Sequence, residues 1–230
     1  MIHVIIVAAG SGNRFGGELP KQFQLLKNKP VLVYSLQKFA ECLPHANIIT
    51  VVSKNMIEYW KTLADNYKIS NIRIIEGGQT RWESVKKGID ALGAIDNKDI
   101  ILVHDGARPL VSSEIINRVI KEVEEGKDGA IPVIEITDSI RQITADGKSA
   151  VINRDILRAV QTPQCFRGVK LKEAYNLPYS NSFTDEAVVL ETAGYKEISL
   201  IPGDVSNLKI TRPFDLKLAE SYIDEGSKRI

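Results

Sequence analysis

Val4-Ile5-Ile6-Val7-Ala8-Ala9-Gly10-Ser11-Gly12-Asn13-Arg14-Phe15-Gly16-Gly17, followed by Pro20-Lys21-Gln22, is the stretch on which the fold turns. Its first half is continuously apolar and β-branched, as expected of a strand covered on both faces. It runs straight into glycines, which let backbone N–H groups approach an anion closely. In open α/β sheets ligands bind beyond the carboxyl ends of strands. Position alone therefore marks this turn as a candidate phosphate site. The segment before it, Met1-Ile2-His3, has no basic leader, so the N-terminal run reads as a buried strand and not as a signal peptide.

The details of the turn exclude two common alternatives. A dinucleotide fingerprint needs G-x-G-x-x-G; Gly10 and Gly12 fit, but Phe15 occupies the third position. The next strand, Ile48–Val52, runs into Ser53-Lys54 without an acidic residue to hold a ribose, which disfavours an NAD(P)-dependent reductase. A Walker A loop needs G-x-x-x-x-G-K-[ST]; Gly12 and Gly17 have the spacing, but Glu18 replaces the lysine. What remains is a glycine turn followed by Arg14 and Lys21. Arg grips phosphate oxygens bidentately and Lys acts as a point charge, so the pair suits a triphosphate with a pyrophosphate leaving group. The same residues also suit a plain strand-to-helix turn with surface cations.

Outward from this turn, short β-branched runs alternate with amphipathic stretches. Further strands are expected at Ile48–Ser53, Ile72–Ile75, Ile100–Val103, Ala130–Ile136 and Ile198–Ile201. Helices are expected where Leu32, Leu36, Phe39 and Leu43 repeat, where Ile57, Trp60, Leu63, Ala64 and Tyr67 repeat, and again over Ile116, Val119, Ile120 and Val123. The alternation argues for an α/β fold, a single Rossmann-like domain whose mainly parallel sheet is flanked by helices. Thr80-Arg81-Trp82-Glu83 has the capping-box pattern, and Ser182-Phe183-Thr184-Asp185 has a similar form with Gly194 as the stop of its helix. Pro213 suits the first turn of the last helix. One segment breaks the alternation: Ile140–Ile143 and Ala150–Ile152 flank Asp146-Gly147, a strong hairpin signal. We read residues 1–230 as one domain with an inserted β-hairpin arm at about 138–158.

Bulk properties agree. A chain of 230 residues buries roughly 70% or more of its unfolded surface in one domain, so disulfides are not needed. Cys42 and Cys165 lie far apart, with neither a CxxC partner nor a His at metal-ligand spacing. The hydrophobic fraction of 43% and charged fraction of 26% are ordinary for a globular protein. A net charge of +1 supplies no global field toward nucleic acid or a membrane surface. The apolar runs are far short of the ~20 residues of a membrane span, and a cytoplasmic location follows by default.

Five motifs then carry a resemblance: Ala8-Ala9-Gly10-x-Gly12-x-Arg14 with Pro20-Lys21-Gln22, His104-Asp105-Gly106-Ala107-Arg108-Pro109, Gln161-Thr162-Pro163-Gln164, Thr184-Asp185-Glu186-Ala187 and Asn207-Leu208-Lys209-Ile210-Thr211. In this order the chain resembles the 2-C-methyl-D-erythritol 4-phosphate cytidylyltransferases of non-mevalonate isoprenoid biosynthesis, nucleotidyltransferases with a GT-A-like fold. The resemblance runs from Val4 to about Tyr222. It implies a transferase that joins the CMP part of CTP to a polyol phosphate and releases pyrophosphate.

The resemblance also implies roles. The backbone of Ala8, Ala9, Gly10 and Gly12 would cradle CTP, with Arg14 and Lys21 on its phosphates. Gly78, Gln79 and Ser84 would read the base; family members often have Asp where Gln79 stands, a change that a backbone contact survives. Asp105 would hold Mg²⁺ against the triphosphate and touch the acceptor. A salt bridge with Arg108 is the simpler reading of that carboxylate. Arg154, on an arm exchanged between two subunits of a homodimer, and Lys209 would grip the acceptor phosphate. Arg108 and the hydroxyls of Ser139, Thr162 and Thr184 would complete the acceptor pocket; Ser139 stands where the family commonly has Thr. The catalytic set so implied is Arg14, Lys21, Arg154 and Lys209.

Trp60, Trp82, Tyr34 and Phe39 fall at helical positions and read as core or interface, and His104 lacks the partners of a metal site. A ribitol-5-phosphate cytidylyltransferase is the nearest rival. That relative typically has A-G-G in the first turn, G-Q-T-P-Q later and S-D-A last, and this chain departs from it on all three counts. A non-catalytic nucleotide-binding protein on the same fold is the other alternative; retention of Arg14, Lys21, Asp105, Arg154 and Lys209 argues against it.

Overall fold

The structure, a computed structural model, describes residues 1–10, 12, 15–16 and 19–227. Arg14 therefore lies outside the described residues, as do Ser11, Asn13, Gly17, Glu18 and 228–230.

The opening run forms β1 (Ile2–Ala8), in which Val4, Ile5 and Ile6 are fully buried. After the glycine turn, a short ribbon of β2 (Leu25–Leu26) and β3 (Lys29–Pro30) leads into α1 (Val31–Cys42). The chain continues through β4 (Asn47–Val52), α2 (Ile57–Asn66), β5 (Ile72–Glu76), α3 (Arg81–Leu92), β6 (Ile100–Asp105) and α4 (Ser113–Glu124). Strands β5, β4, β1 and β6 lie side by side and all run parallel. Their carboxyl ends therefore share one edge, which brings the turn after Ala8, the loop after Glu76 and Asp105 together.

The second half is built differently. β7 (Gly129–Glu135) pairs in parallel with β12 (Ile198–Pro202) on one side. Its other side is shared by two short antiparallel strands, β10 (Arg158–Val160) and β11 (Gln164–Arg167). β11 also pairs with β6 and so joins the two halves into one eight-stranded sheet. β10 and β11 were not expected from the sequence, because they are short, partly polar and interrupted by Pro163. The remaining elements are the β8 (Ile140–Ile143) and β9 (Ser149–Ile152) hairpin, α5 (Gly168–Ala174), α6 (Glu186–Thr192) and α7 (Pro213–Ser227).

Alternation along β1 assigns its side chains to two cores. Val4, Ile6 and Ala8 pack with α1, α2 and α4 on one face. Ile5 packs with Ile49, Val51 and residues of α3, α5 and α6 on the other. A smaller cluster of Leu26, Val31, Ile210 and Ala219 fastens α7 to the β2–β3 ribbon.

The capping box forms as expected: Thr80 accepts from Glu83 N at 3.1 Å, and Glu83 takes the Thr80 N–H at 3.3 Å. The start of α6 differs from the expected one. Ser182 spends its groups on a local turn with Ser180, and the cap is Asp185, which accepts from Val188 N at 3.1 Å. Gly194 follows the helix with φ +98°, and Pro213 is the first residue of α7.

The β8–β9 hairpin forms around Gly147, whose φ of +79° is a backbone conformation that suits glycine. Among the described residues it pairs with no other strand. Ile143 and Val151 are 69% and 74% exposed, and Ile156 just beyond is 77% exposed.

Candidate active site

At the carboxyl edge of the parallel strands lies a cavity of about 300 Å³, lined by residues from five separate stretches. Ala8, Ala9 and Gly10 form one wall, and Gly78, Gln79, Thr80 and Ser84 form another. Lys21, Arg81, Asp105 and Lys209 line the same space. The structure thus gathers Lys21, Asp105 and Lys209 with both backbone walls.

The turn after β1 is pinned from outside. Gln22, buried on a short helical turn after Pro20, donates through Nε2 to Ala8 O at 2.5 Å and Gly10 O at 3.0 Å. These bonds leave the backbone N–H groups of the turn free of the Gln22 amide. Gly12 takes φ +70°, and a Cβ there would come within 3.3 Å of Lys21 N. The Pro20-Lys21-Gln22 motif gives Gln22 no role by itself, because nothing in a sequence tells which carbonyls an amide side chain will meet.

The opposite wall is a loop braced by its own hydrogen bonds. Gly77 N donates to Val52 O at 2.8 Å, Gly78 N donates to Ser84 Oγ at 3.1 Å, and Gln79 N donates to Glu83 Oε2 at 2.6 Å. Ser84 also donates to Thr80 O at 2.9 Å. Its hydroxyl is therefore engaged in building the loop.

Asp105 ends β6 and is buried at the cavity floor. Its backbone N–H donates to Thr162 Oγ1 at 3.0 Å. Thr162 in turn faces His104 Nδ1 at 3.1 Å, while His104 Nε2 lies 3.1 Å from Arg108 O. These partners are satisfied when Nε2 carries the proton and Nδ1 accepts from the hydroxyl. Burial lowers the His104 pKa to about 4, so the ring is neutral at pH 7. Thr162 is consequently a buried support of Asp105 and does not line the cavity.

The Asp105 carboxylate meets three cations: Lys209 Nζ at 2.8 Å and Arg108 Nε at 3.7 Å on Oδ2, and Arg81 Nε at 3.2 Å on Oδ1. Burial opposes its ionisation, but Arg81, Lys209 and Arg108 outweigh that and hold the carboxyl well below the usual carboxylate range. The Asp105–Arg108 salt bridge, the alternative to a metal-holding role, exists, yet it is the longest of the three. Arg108 also donates to Asn207 O at 2.8 Å, and Asn207 donates to Thr162 O at 2.9 Å. Those bonds carry the 207–209 segment, and Lys209 with it, to the cavity.

Arg81 was the residue that sequence reasoning missed. It opens α3, and its Nη1 and Nη2 bind both oxygens of Glu186, at 2.5 and 2.9 Å. Glu186 has no solvent exposure and also accepts from Tyr175 Oη at 3.1 Å. Arg81 lies in the Thr80–Glu83 capping box and Glu186 in the Thr184–Ala187 motif. A pairing across 105 positions leaves no local signal.

Other expected site residues lie elsewhere in the single chain. Arg154 is exposed, donates to Thr137 O and lines a separate groove with Glu135, Asp155 and Arg158. Ser139 and Thr184 are exposed and do not line the cavity. For a metal, Asp105 is the one carboxylate among the described lining residues, and among the described residues no group of three His, Cys, Asp or Glu could hold an ion. One hard oxygen ligand, with water and phosphate for the rest, is the donor set that Mg²⁺ takes in nucleotide sites. The residues fit such an ion and not a closed all-protein cage.

Comparison with known proteins decides the family. The model of the 2-C-methyl-D-erythritol 4-phosphate cytidylyltransferase family matches residues 2–225. The chain belongs to that family. The enzyme of that name from Phocaeicola vulgatus is 41% identical over 222 residues, covering 96% of this chain and 99% of the relative. The one from Porphyromonas gingivalis is 40% identical, covering 95% and 96%. Among solved structures, 4-diphosphocytidyl-2C-methyl-D-erythritol synthase from Anaerococcus prevotii superposes with a TM-score of 0.81 at 28% identity, over 97% of this chain and 96% of that one. The cytidylyltransferase from Francisella tularensis gives 0.79 at 31% identity, over 95% and 97%. A 2-C-methyl-D-erythritol 4-phosphate cytidylyltransferase is a nucleotidyltransferase, and this chain has the family's fold: a mainly parallel sheet flanked by helices. Among the described residues no helix is long and apolar enough to cross a membrane.

Proposed function

We propose that the chain transfers CMP from CTP to 2-C-methyl-D-erythritol 4-phosphate, giving 4-CDP-2-C-methyl-D-erythritol and pyrophosphate in the cytoplasm. The convergence of Lys21, Asp105 and Lys209 on one cavity between two backbone walls carries this reading. A phosphate oxygen of the acceptor attacks the α-phosphorus of CTP, the bond to the bridging oxygen breaks, and pyrophosphate leaves with that oxygen. The nucleophile is already anionic, so no general base is required. Charge builds on the phosphorus oxygens and the leaving group, and fixed cations aimed at them lower the barrier.

Lys21, beside the 8–10 turn, serves the triphosphate, and Arg14 of the same sequence motif would share that role. The 78–80 loop, braced by its bonds to Glu83 and Ser84, presents backbone groups and Gln79 to the base. Lys209 is held at the cavity by Asp105 and turns from it to the acceptor phosphate. Arg108 and the exposed hydroxyls of Ser139 and Thr184 serve the acceptor, with Thr162 acting beneath Asp105. Asp105 would hold Mg²⁺, which when bound neutralises phosphate charge.

Residues 1–230 act as one nucleotidyltransferase domain with the hairpin at 138–158 as a dimerisation arm. The unpaired β8–β9 hairpin and the exposure of Ile143, Val151 and Ile156 support an arm that packs on a second copy. Arg154 then reaches the second copy's cavity, which agrees with its absence from its own.

Pyrophosphate release is the test. The purified chain is given CTP, ATP, GTP or UTP with either 2-C-methyl-D-erythritol 4-phosphate or ribitol 5-phosphate. Release that depends on CTP and the methylerythritol acceptor is expected. A clear preference for ribitol 5-phosphate overturns the acceptor assignment, and no release with any pair overturns the reading.

A further inference from the structure

Arg81 spends all three guanidinium nitrogens on two carboxylates, Asp105 and Glu186, that no other of the described residues brings together. The geometry assigns Arg81, aimed by Glu186, as the positioning residue that locks the Asp105 carboxylate and the 77–80 loop into one fixed arrangement for cytidylyl transfer. The assignment rests on the function proposed above.

The guanidinium is planar, so a bidentate grip on Glu186 sets the direction in which Nε points. Nε points at Asp105 Oδ1, 3.2 Å away, while Oδ2 meets Lys209 at 2.8 Å. Oδ1 is thus held by Arg81, while Oδ2 faces Lys209 with Arg108 further off at 3.7 Å. Without Arg81, both remaining cations, Lys209 at 2.8 Å and Arg108 at 3.7 Å, act on Oδ2, and no cation of the described residues holds Oδ1. Arg81 is also the first residue of α3, directly after the cap Thr80, so its anchoring sets the place of the loop that presents Gly78 and Gln79.

Glu186 does not line the cavity. It is fully buried, takes Tyr175 Oη at 3.1 Å, and Tyr175 is stacked on Trp82 at 5.5 Å and 18°. Glu186 therefore reaches the site through Arg81. Stability is a weak reason for such a cluster, because well-packed apolar residues commonly replace buried ion pairs with no loss or a gain. Its place beneath the reacting cavity supplies the better reason.

Glu186→Gln keeps the size and removes the bidentate grip. The expected result is a kcat lowered about 100-fold, the cost of roughly 1 Å of misplacement, with KM for CTP within about threefold of the wild type and circular dichroism and melting showing a folded protein. Arg81→Lys is expected to lose as much. The double variant is expected to be no worse than Arg81→Lys alone, because Glu186 acts through Arg81. Turnover of folded Glu186→Gln within threefold of wild type, or losses that multiply in the double variant, overturn the assignment. Should Glu186→Gln fail to fold, Glu186→Asp keeps the charge but shortens the reach by one methylene, and the same kcat criteria apply. Wild-type enzyme assayed in parallel separates the claims: active wild type with undiminished variants refutes the positioning role alone, and inactive wild type refutes the underlying function and the role with it.

Discussion

Replacing Gly77 by alanine separates the two walls of the cavity in a way the structure quantifies. A Cβ at Gly77 would sit 2.4 Å from Ala9 Cβ and 3.0 Å from Ser84 Oγ. Carbon atoms in good contact stand about 3.5–4.0 Å apart, so the walls must part by about 1 Å. Neither wall yields easily. Gly77 N is bonded to Val52 O, and the turn bearing Ala9 is pinned by Gln22. Overpacking of this kind costs about 1–3 kcal/mol, which lowers the melting temperature by roughly 2–12 °C for a chain of this size. The larger effect falls on catalysis: 1 Å of misplacement costs about 100-fold in kcat/KM. Steady-state pyrophosphate release, with the variant confirmed folded at the assay temperature, measures it. Gly10→Ala is the contrasting control. Its Cβ meets nothing within 4 Å among the described residues, and Gly10 lines the cavity. It is expected to melt like wild type and to bind CTP more weakly. A folded Gly77→Ala enzyme with kcat/KM within threefold of wild type would refute the claim that the two walls together form the nucleotide site.

Further outcomes follow from single contacts. Lys21→Ala is expected to lower kcat by about 10²–10³ with a much smaller change in CTP affinity by calorimetry; unchanged turnover removes Lys21 from the chemistry. Burial depresses the His104 pKa to about 4 from 6.5. The unfolded chain therefore binds more protons between those values, and stability is fully present above pH 6.5 and falls as pH drops toward 4. The loss is on the order of 3 kcal/mol by urea unfolding, and His104→Gln is expected to flatten it. Ile143→Asp with Val151→Asp is expected to convert a dimer to an inactive monomer by light scattering; a fully active monomer refutes the arm's role.

Short-range physics was legible in the residues themselves. The glycine turn after β1, the Thr80–Glu83 box, the Gly147 hairpin and the period of α4 each depend on neighbours within a few positions. Each stands where the sequence puts it. The alternation of apolar strands with amphipathic helices was enough for a parallel sheet and for a site at its carboxyl edge. The motifs in order were enough for the family.

Contacts across the chain decided the rest. β10 and β11 are strands because β6 and β7 offer them edges, not because of their own composition. α6 begins at Asp185 because Ser182 found a closer partner. The burial of Glu186, the aim of Arg81 and the crowding of three cations on Asp105 arise between elements separated by up to 105 positions. A charged residue in a sequence reads as solvated by default. Whether it is buried, and beside which opposite charge, is settled only when the sheet closes and desolvation must be offset by a partner.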